Sequence, residues 1–212
     1  YMVEVGLCMI QGARHAHIRA LDDAAKHLNS HLVIHELRTR EDVVKTPCDA
    51  YVLPGGESTV MRLTGGAEDK GGSGLLPALF EQLRHTGAAV LGTCAGAILL
   101  CDPQDGGEPL IPARIGRNAY GRQVDSFQSL IESPLLSRSF PGVFIRAPRF
   151  ESISTGVEVA ASNGGEPVGV ISGRRLALTF HPELTEDFGF HAWLLSIAMD
   201  SPPGPSPVKS EA

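Results

Sequence analysis

The sequence predicts an α/β fold in which a mostly parallel central sheet is flanked by helices on both faces and carries an antiparallel extension. Two patterns support this prediction. In the first half, short apolar runs alternate with segments whose apolar residues recur every three or four positions, as expected for buried parallel strands covered by helices. In the second half, short strand candidates are separated by Gly, Asn and Pro turns, which favours antiparallel pairing.

The first half contains four apolar strand candidates and two helices. The strands are expected at residues 2–10, 32–34, 50–53 and 88–91. The apolar positions of the first helix are Ile18, Leu21, Ala25 and Leu28, and those of the second are Leu76, Leu79, Phe80 and Leu83. Asn29-Ser30 should end the first helix. Residues 65–74 are rich in glycine and charge, which predicts a surface loop.

The second half predicts further strands and one closing helix. The strands are expected at residues 143–145, 157–160, 168–171 and 176–180, and the helix at about residues 186–199. The segment after it is dominated by Pro, Ser and Gly, so we expect residues 201–212 to form a disordered tail. Residues 1–200 are then expected to form a single domain.

Composition and charge exclude several classes of protein. The chain has 212 residues and a formal net charge of −6 at pH 7, so no basic surface for nucleic acid or an anionic membrane is expected. No apolar run is long enough to cross a bilayer, and the first residues lack a secretory signal pattern. The four cysteines form no CxxC pair, which argues against a zinc site and indicates a reducing, cytoplasmic location.

Cys94 lies in the pattern expected of a catalytic nucleophile. An apolar strand runs into Gly92-Thr93-Cys94-Ala95-Gly96 and then into an apolar helix-forming segment, the cysteine counterpart of the G-x-S-x-G elbow. A helix start favours the reactive thiolate, and the amide of Ala95 would face a developing oxyanion. The alternative is a buried structural cysteine, which fits the small residues on both sides less well.

His181 is the candidate base, and Glu183 the candidate group that orients it. His181 ends an apolar strand, where active sites of α/β proteins lie, and Pro182 favours an extended backbone before it. Residues two apart in extended backbone face the same way, so Glu183 could hold the imidazole. Considered apart from Cys94, a strand-capping histidine and a surface glutamate are an equally good interpretation.

A glycine-rich turn follows the strand at residues 50–53. Its sequence is Pro-Gly-Gly-Glu-Ser-Thr at residues 54–59, where consecutive glycines permit close approach of a ligand to backbone amides. The turn lacks the Gly-Lys-Ser/Thr ending of a phosphate-binding loop, which argues against a nucleotide site.

Together these segments resemble the class I glutamine amidotransferases, which use a Cys-His-Glu triad on a flavodoxin-like fold. Within that class the sequence is similar to the glutaminase subunits of pyridoxal 5′-phosphate synthase, from about Val5 to the last helix. The matching segments are residues 54–59, 92–96, 117–127, 144–148 and 180–185. The block at residues 117–127 is specific to that family.

The resemblance implies an activity and a role for each matching residue. Cys94 would attack the side-chain amide of L-glutamine, with His181 as base, Glu183 orienting it, and the amides of Gly56 and Ala95 forming the oxyanion hole. The implied glutamine-binding residues are Gly56, Glu57, Ser58, Arg117, Ile145 and Arg146. The ammonia would pass to a pyridoxal 5′-phosphate synthase subunit in a hetero-oligomer, and no metal or other cofactor would be needed.

One departure and three alternatives qualify this interpretation. The family commonly has Glu-His where this chain has Ala16-His17, a region implied to face the synthase, so we expect altered docking. The alternatives are another triad glutaminase, such as one serving imidazole glycerol phosphate synthesis, a non-catalytic domain on the same fold, and a DJ-1-like oxidant sensor. The first would not need the block at residues 117–127, and the last leaves His181 and Glu183 unexplained.

Overall fold

The computed structural model describes residues 1–117, 126–200 and 203–204, with eleven strands and six α-helices among them. The strands are β1 (Met2–Cys8), β2 (His31–Leu37), β3 (Ala50–Leu53), β4 (Ala89–Thr93), β5 (Ala113–Gly116), β6 (Ser126–Ser133), β7 (Arg138–Ile145), β8 (Arg149–Ile153), β9 (Glu158–Asn163), β10 (Glu166–Ser172) and β11 (Arg175–Leu178). The helices are α1 (Arg14–His27), α2 (Arg40–Lys45), α3 (Ser58–Gly65), α4 (Leu75–Thr86), α5 (Ala95–Cys101) and α6 (Gly189–Asp200). Short 3₁₀ helices span Glu68–Lys70 and Pro182–Leu184.

Nine strands form one sheet in the order β2-β1-β3-β4-β11-β10-β9-β6-β7. The five strands from β2 to β11 pair in parallel, and the four that follow pair antiparallel. This arrangement confirms the predicted fold class. A separate antiparallel pair, β5 with β8, was not predicted.

Two apolar cores cover the two faces of the sheet. On one face, α1 and α6 pack against the sheet together with Phe140, Phe144 and Phe180. On the other face, α4 and α5 pack against the opposite side chains of β3, β4 and β11, whose residues are buried on both sides. Burial on both faces explains why these strands are apolar without alternation.

Several predicted elements agree closely with the structure. The first helix ends at His27, and Asn29 takes a positive φ of 50° in the turn that follows. The expected strand at residues 176–180 is β11, which ends earlier, at Leu178. The expected surface loop at residues 65–74 contains the 3₁₀ turn Glu68–Lys70, and its first residue, Gly65, is the buried end of α3.

The sequence analysis missed short and half-exposed elements. Helix α2 has only six residues, too few to show a period, and it is held by a capping box between Thr39 and Asp42. Strand β6 buries few of its side chains, so its polar residues hide the strand pattern. Helix α3 begins inside the glycine-rich turn, where the side chain of Glu57 accepts hydrogen bonds from the amides of Thr59 and Val60.

Two predictions concern residues outside the described part of the chain. Residues 118–125 of the family-specific block lie outside it, as does the expected tail at residues 201–212 apart from Pro203 and Gly204. Within the described residues, none of the helices is both long and apolar enough to span a membrane.

Candidate active site

Cys94 occupies a sharp turn between β4 and α5. Its backbone has φ 52° and ψ −112°, a conformation that a residue with a side chain rarely adopts. The amide of Cys94 donates to the carbonyl oxygen of Leu178 at 2.8 Å, which ties the turn to the neighbouring strand. A side chain on Gly96 would collide with the carbonyl oxygen of Leu53, so the start of α5 can approach the end of β3 only because this position is glycine. The elbow therefore has the geometry predicted from its two glycines.

The thiol of Cys94 is buried and directed toward the strand that lies across from it. Its Sγ lies 3.8 Å from the carbonyl oxygen of Ile145, the last residue of β7. Helix α5 begins at Ala95, so the amide of Ala95 belongs to the first helical turn, whose N–H groups have no carbonyl acceptor within the helix. An anion formed beside the thiol would meet that amide.

His181 lies three residues after β11 and contacts both other members of the predicted triad. Its amide donates to the carbonyl oxygen of Val143 at 2.8 Å, and its Nδ1 lies 3.2 Å from Oε2 of Glu183. Burial by itself lowers the pKa of His181, but hydrogen bonds with Cys94 and Glu183 and the charges of both outweigh it and raise the pKa to about 10. The imidazolium form is thus favoured while His181 is bonded to the thiol and the carboxylate.

Glu183 reaches His181 by a route that differs from the predicted one. Extended backbone was expected through Pro182, yet Pro182–Leu184 form a 3₁₀ turn with Pro182 at its start. The turn folds the carboxylate back onto the imidazole, and Glu183 becomes completely buried. The contact between the two residues was predicted, but the reason given for it was wrong.

The glycine-rich turn lies directly beside Cys94 and His181. A side chain on Gly55 would meet Cε1 of His181 at 2.9 Å and Cβ of Cys94 at 3.1 Å. Gly56 has φ 153°, and a side chain there would collide with Gln11, whose Oε1 accepts a hydrogen bond of 2.6 Å from the amide of Glu57. The two glycines let this turn approach Cys94, His181 and the loop after β1.

A cavity of about 390 Å³ opens onto Cys94. Its lining residues are Gly56, Glu57, Ser58, Cys94, Ala95, Ile98, Arg117, Arg146 and Pro148. Of the residues expected to bind the substrate, Ile145 does not line the cavity with its side chain, and it contributes the carbonyl oxygen that faces Cys94. Ile98 and Pro148 were not predicted, because isolated apolar residues give no sequence signal for a binding site.

Arg117 brings a positive charge to the rim of this cavity. Its Nη1 donates to Oε1 of Glu57 at 2.8 Å, to Oγ of Ser58 at 3.1 Å and to Oγ1 of Thr59 at 2.7 Å. Backbone hydrogen bonds from Val60 and Thr59, together with the charge of Arg117, lower the pKa of Glu57. The rim therefore presents a guanidinium and a carboxylate side by side.

Sequence reasoning missed two buried histidines behind the site. His17 of α1 and His191 of α6 are fully buried, with Nδ1 of His17 3.0 Å from Nε2 of His191. Nε2 of His17 also lies 3.6 Å from Oε2 of Glu183. The two histidines are 174 residues apart, so no local pattern could pair them. Over the described residues, no group of three His, Cys, Asp or Glu side chains is arranged to hold a metal ion.

The chain is similar in sequence and in fold to known glutamine amidotransferases. A curated relative from Thermococcus onnurineus, named pyridoxal 5′-phosphate synthase subunit PdxT, is 40% identical over 93% of this chain and 100% of its own length. A PdxT subunit from Oenococcus oeni is 36% identical over 94% of this chain and 98% of its own. A crystal structure of a glutamine amidotransferase superposes with a TM-score of 0.75 at 37% identity, covering 92% of this chain and 98% of that one. The model of the SNO glutamine amidotransferase family matches residues 7–199. The chain belongs to the SNO glutamine amidotransferase family.

Proposed function

We propose that this protein is the glutaminase subunit of a pyridoxal 5′-phosphate synthase, which hydrolyses L-glutamine to L-glutamate and ammonia. The observation that carries the proposal is the contact of His181 with both Cys94 and Glu183, beside a cavity of about 390 Å³ that Cys94 lines. The names of the curated relatives supply the pathway.

The proposed reaction transfers the γ-glutamyl group twice, first from nitrogen to Sγ of Cys94 and then from Sγ to water. The thiol proton of Cys94 passes to His181 as Sγ attacks the side-chain carbonyl carbon of glutamine, and His181 gives that proton to the nitrogen as the C–N bond breaks and ammonia leaves. Water then attacks the γ-glutamyl thioester, with His181 accepting its proton, and glutamate and the free thiol are released. The amides of Gly56 and Ala95 stabilise the oxyanion in both steps, with each donor worth about 3 kcal/mol in such sites.

The proposed substrate contacts follow from the charges at the cavity rim. The guanidinium of Arg117 suits the α-carboxylate of glutamine, and the carboxylate of Glu57 suits its α-ammonium group. Gly56, Ser58 and Arg146, with the backbone at Ile145, complete the predicted set. The chemistry needs only side chains and backbone amides of this chain, so we propose no metal or other cofactor.

The proposed partner is the synthase subunit that consumes the ammonia, in a hetero-oligomer. Free ammonia would take up a proton in water and lose its nucleophilic lone pair, so direct transfer favours a complex. The four cysteines Cys8, Cys48, Cys94 and Cys101 are free thiols, as is usual in a reducing compartment, and they support a cytoplasmic location for this protein.

The test is glutamate release from L-glutamine, with and without a pyridoxal 5′-phosphate synthase subunit, for the parent and Cys94→Ala. We expect release that increases with the synthase and is abolished by the substitution. Cys101→Ala is the matched control, since this thiol is also buried near α5 but lies outside the cavity. Release that ignores the synthase would instead indicate a glutaminase of another pathway, and no release in either setting would indicate a non-catalytic domain.

A further inference from the structure

Behind the proposed triad, the carboxylate of Glu183 lies between two histidine rings. Its Oε2 is 3.2 Å from Nδ1 of His181 on the cavity side and 3.6 Å from Nε2 of His17 on the interior side. His17 is in turn 3.0 Å from His191. The proposed reaction uses His181 and Glu183 and gives no role to the two interior histidines.

Both interior histidines are neutral near pH 7. Burial, followed by the charges of His191 and His181, holds the pKa of His17 well below its ordinary value. Burial lowers the pKa of His191 to about 3. A neutral imidazole has one N–H donor and one acceptor nitrogen, so each ring must place its single proton on one side.

The surroundings determine where those protons lie. An ionised carboxylate only accepts hydrogen bonds, so a bare nitrogen facing Glu183 would be repelled by it. The proton of His17 therefore belongs on Nε2, its Nδ1 accepts, and Nε2 of His191 must carry the proton that this contact needs. Within this cluster of described residues, Nε2 of His17, Oε1 of Glu183 and Nδ1 of His191 are buried without a hydrogen-bond partner. A small movement of Oε2 toward His17 would give Nε2 of His17 an acceptor.

Helix α1 also holds the main chain at the same place. Nη2 of Arg19 donates to the carbonyl oxygens of Glu183 and Thr185, each at 3.1 Å. The helix thus contacts both the backbone and the side chain of the proposed acidic residue, although it supplies none of the reacting atoms.

We propose that His17, held in its Nε2–H form by His191, is a positioning residue that donates to the Glu183 carboxylate and keeps its Oε2 on His181. This inference rests on the proposed function. A buried carboxylate without a donor on its inner side is costly, and it would turn toward water or away from the imidazole. His17 supplies that donor without bringing a second charge into the core.

Three substitutions of His17 distinguish the role of its Nε2 from the role of its Nδ1. In His17→Gln the side-chain amide nitrogen can reach the position of Nε2 and keep the donor to Glu183. His17→Asn reaches only the position of Nδ1, and His17→Leu fills the space with no polar atom. Glutaminase activity is measured with the synthase subunit present, and kcat and KM for L-glutamine are determined separately.

We expect kcat to fall about 10- to 100-fold in the Asn and Leu variants, with KM within about twofold, because the carboxylate acts on the chemical step. The Gln variant should remain within about threefold of the parent. His15→Gln, an exposed position on the same helix, is the matched control and should be unchanged. If kcat falls equally in the Gln, Asn and Leu variants, in proportion to the fall in their melting temperatures, the inference is overturned in favour of a structural role for His17.

A second measurement avoids the variants altogether. ¹⁵N chemical shifts and two-bond couplings of the histidine rings in the parent protein report the tautomers directly. The inference requires neutral His17 with its proton on Nε2 and neutral His191 with its proton on Nε2, and a proton on Nδ1 of His17 would contradict it. A parent that releases no glutamate with the synthase present counts against the proposed function, whereas an active parent with a fully active His17→Leu variant counts against this inference alone.

Discussion

Nδ1 of His181 lies 3.2 Å from Oε2 of Glu183 because a 3₁₀ turn folds the chain back between them. The turn makes the carboxylate fully buried while the imidazole keeps a side facing Cys94. The two residues are neighbours in sequence, but their contact depends on packing of the turn against α1 and β7. This relationship leads to the first prediction.

Glu183→Gln should keep the shape of the site and remove its charge. We expect glutaminase kcat to fall about 100-fold or more, since the amide cannot stabilise an imidazolium as a carboxylate does. The pKa of His181, raised to about 10 in the parent, should fall by at least about one unit. Glutamate release and an NMR titration of His181 measure the two effects. Exposed Glu186→Gln is the control, and an unchanged titration of His181 in Glu183→Gln would contradict the assignment.

Gly55→Ala should separate the base from the nucleophile. The new methyl group would meet His181 at 2.9 Å and Cys94 at 3.1 Å, so one of them must move. A displacement near 1 Å costs about 100-fold in rate, and we expect a fall in kcat of that order. Gly107→Ala is the control, because its methyl group would meet the guanidinium of Arg84, which is paired with Asp105 and lies outside the cavity, and its kcat should equal that of the parent. An active Gly55→Ala would mean that the two side chains need not touch during the reaction.

Arg117→Lys should weaken the binding of L-glutamine. Lysine keeps the charge but loses the planar fork that fits a carboxylate, so we expect KM to rise about tenfold with little change in kcat. With L-glutamine methyl ester, which has no α-carboxylate, the parent and the variant should differ by less than about threefold. Arg114→Lys, an exposed position paired with Glu151, should change neither constant. An equal rise in KM for both substrates would show that Arg117 does not bind the carboxylate.

The buried His191 should make the protein sensitive to mild acid. Its pKa in the folded chain is about 3, below the ordinary 6.5, so the unfolded chain takes up a proton first as the pH falls. The stability that depends on neutral His191 is therefore complete above pH 6.5 and declines as the pH falls toward 3. Between its pKa in the unfolded chain and its pKa in the folded chain, such a group changes the free energy of unfolding by about 1.4 kcal/mol per pH unit.

The test is urea unfolding of the parent and His191→Leu at about pH 7.5 and about pH 5. Between these two pH values, we expect the free energy of unfolding to fall by about 2 kcal/mol more in the parent than in the variant. This expectation holds whatever the difference in stability between the two proteins at the higher pH. The contribution of His181 to the pH dependence of stability has the opposite sign. Its raised pKa gives stability that is present below pH 6.5 and is lost as the pH rises toward 10. That contribution is common to both proteins. Equal losses would show that His191 takes up its proton in the folded state.

Local sequence determined the elbow and the glycine-rich turn. Gly92 is required by close contacts inside the elbow, with Leu100 and Gly96, whereas Gly96, Gly55 and Gly56 are required by close contacts with distant segments. The spacing of these glycines in the sequence was nevertheless sufficient to predict both turns. The alternation of apolar runs and helical periods also sufficed for the parallel half of the sheet, since burial on both faces leaves a simple pattern. Half-exposed β6 and six-residue α2 left no comparable pattern.

Only the tertiary structure decided which side chains meet. The packing of α1 and α6 on one face of the sheet brings Nδ1 of His17 to 3.0 Å from Nε2 of His191 and places His17 behind Glu183. Gln11 binds the amide of Glu57 because β1 and β3 are adjacent parallel strands, whose ends meet at one edge. The sequence by itself thus determined the candidate catalytic residues and the turns that hold them. Their surroundings depend on contacts between distant segments, which no local periodicity encodes.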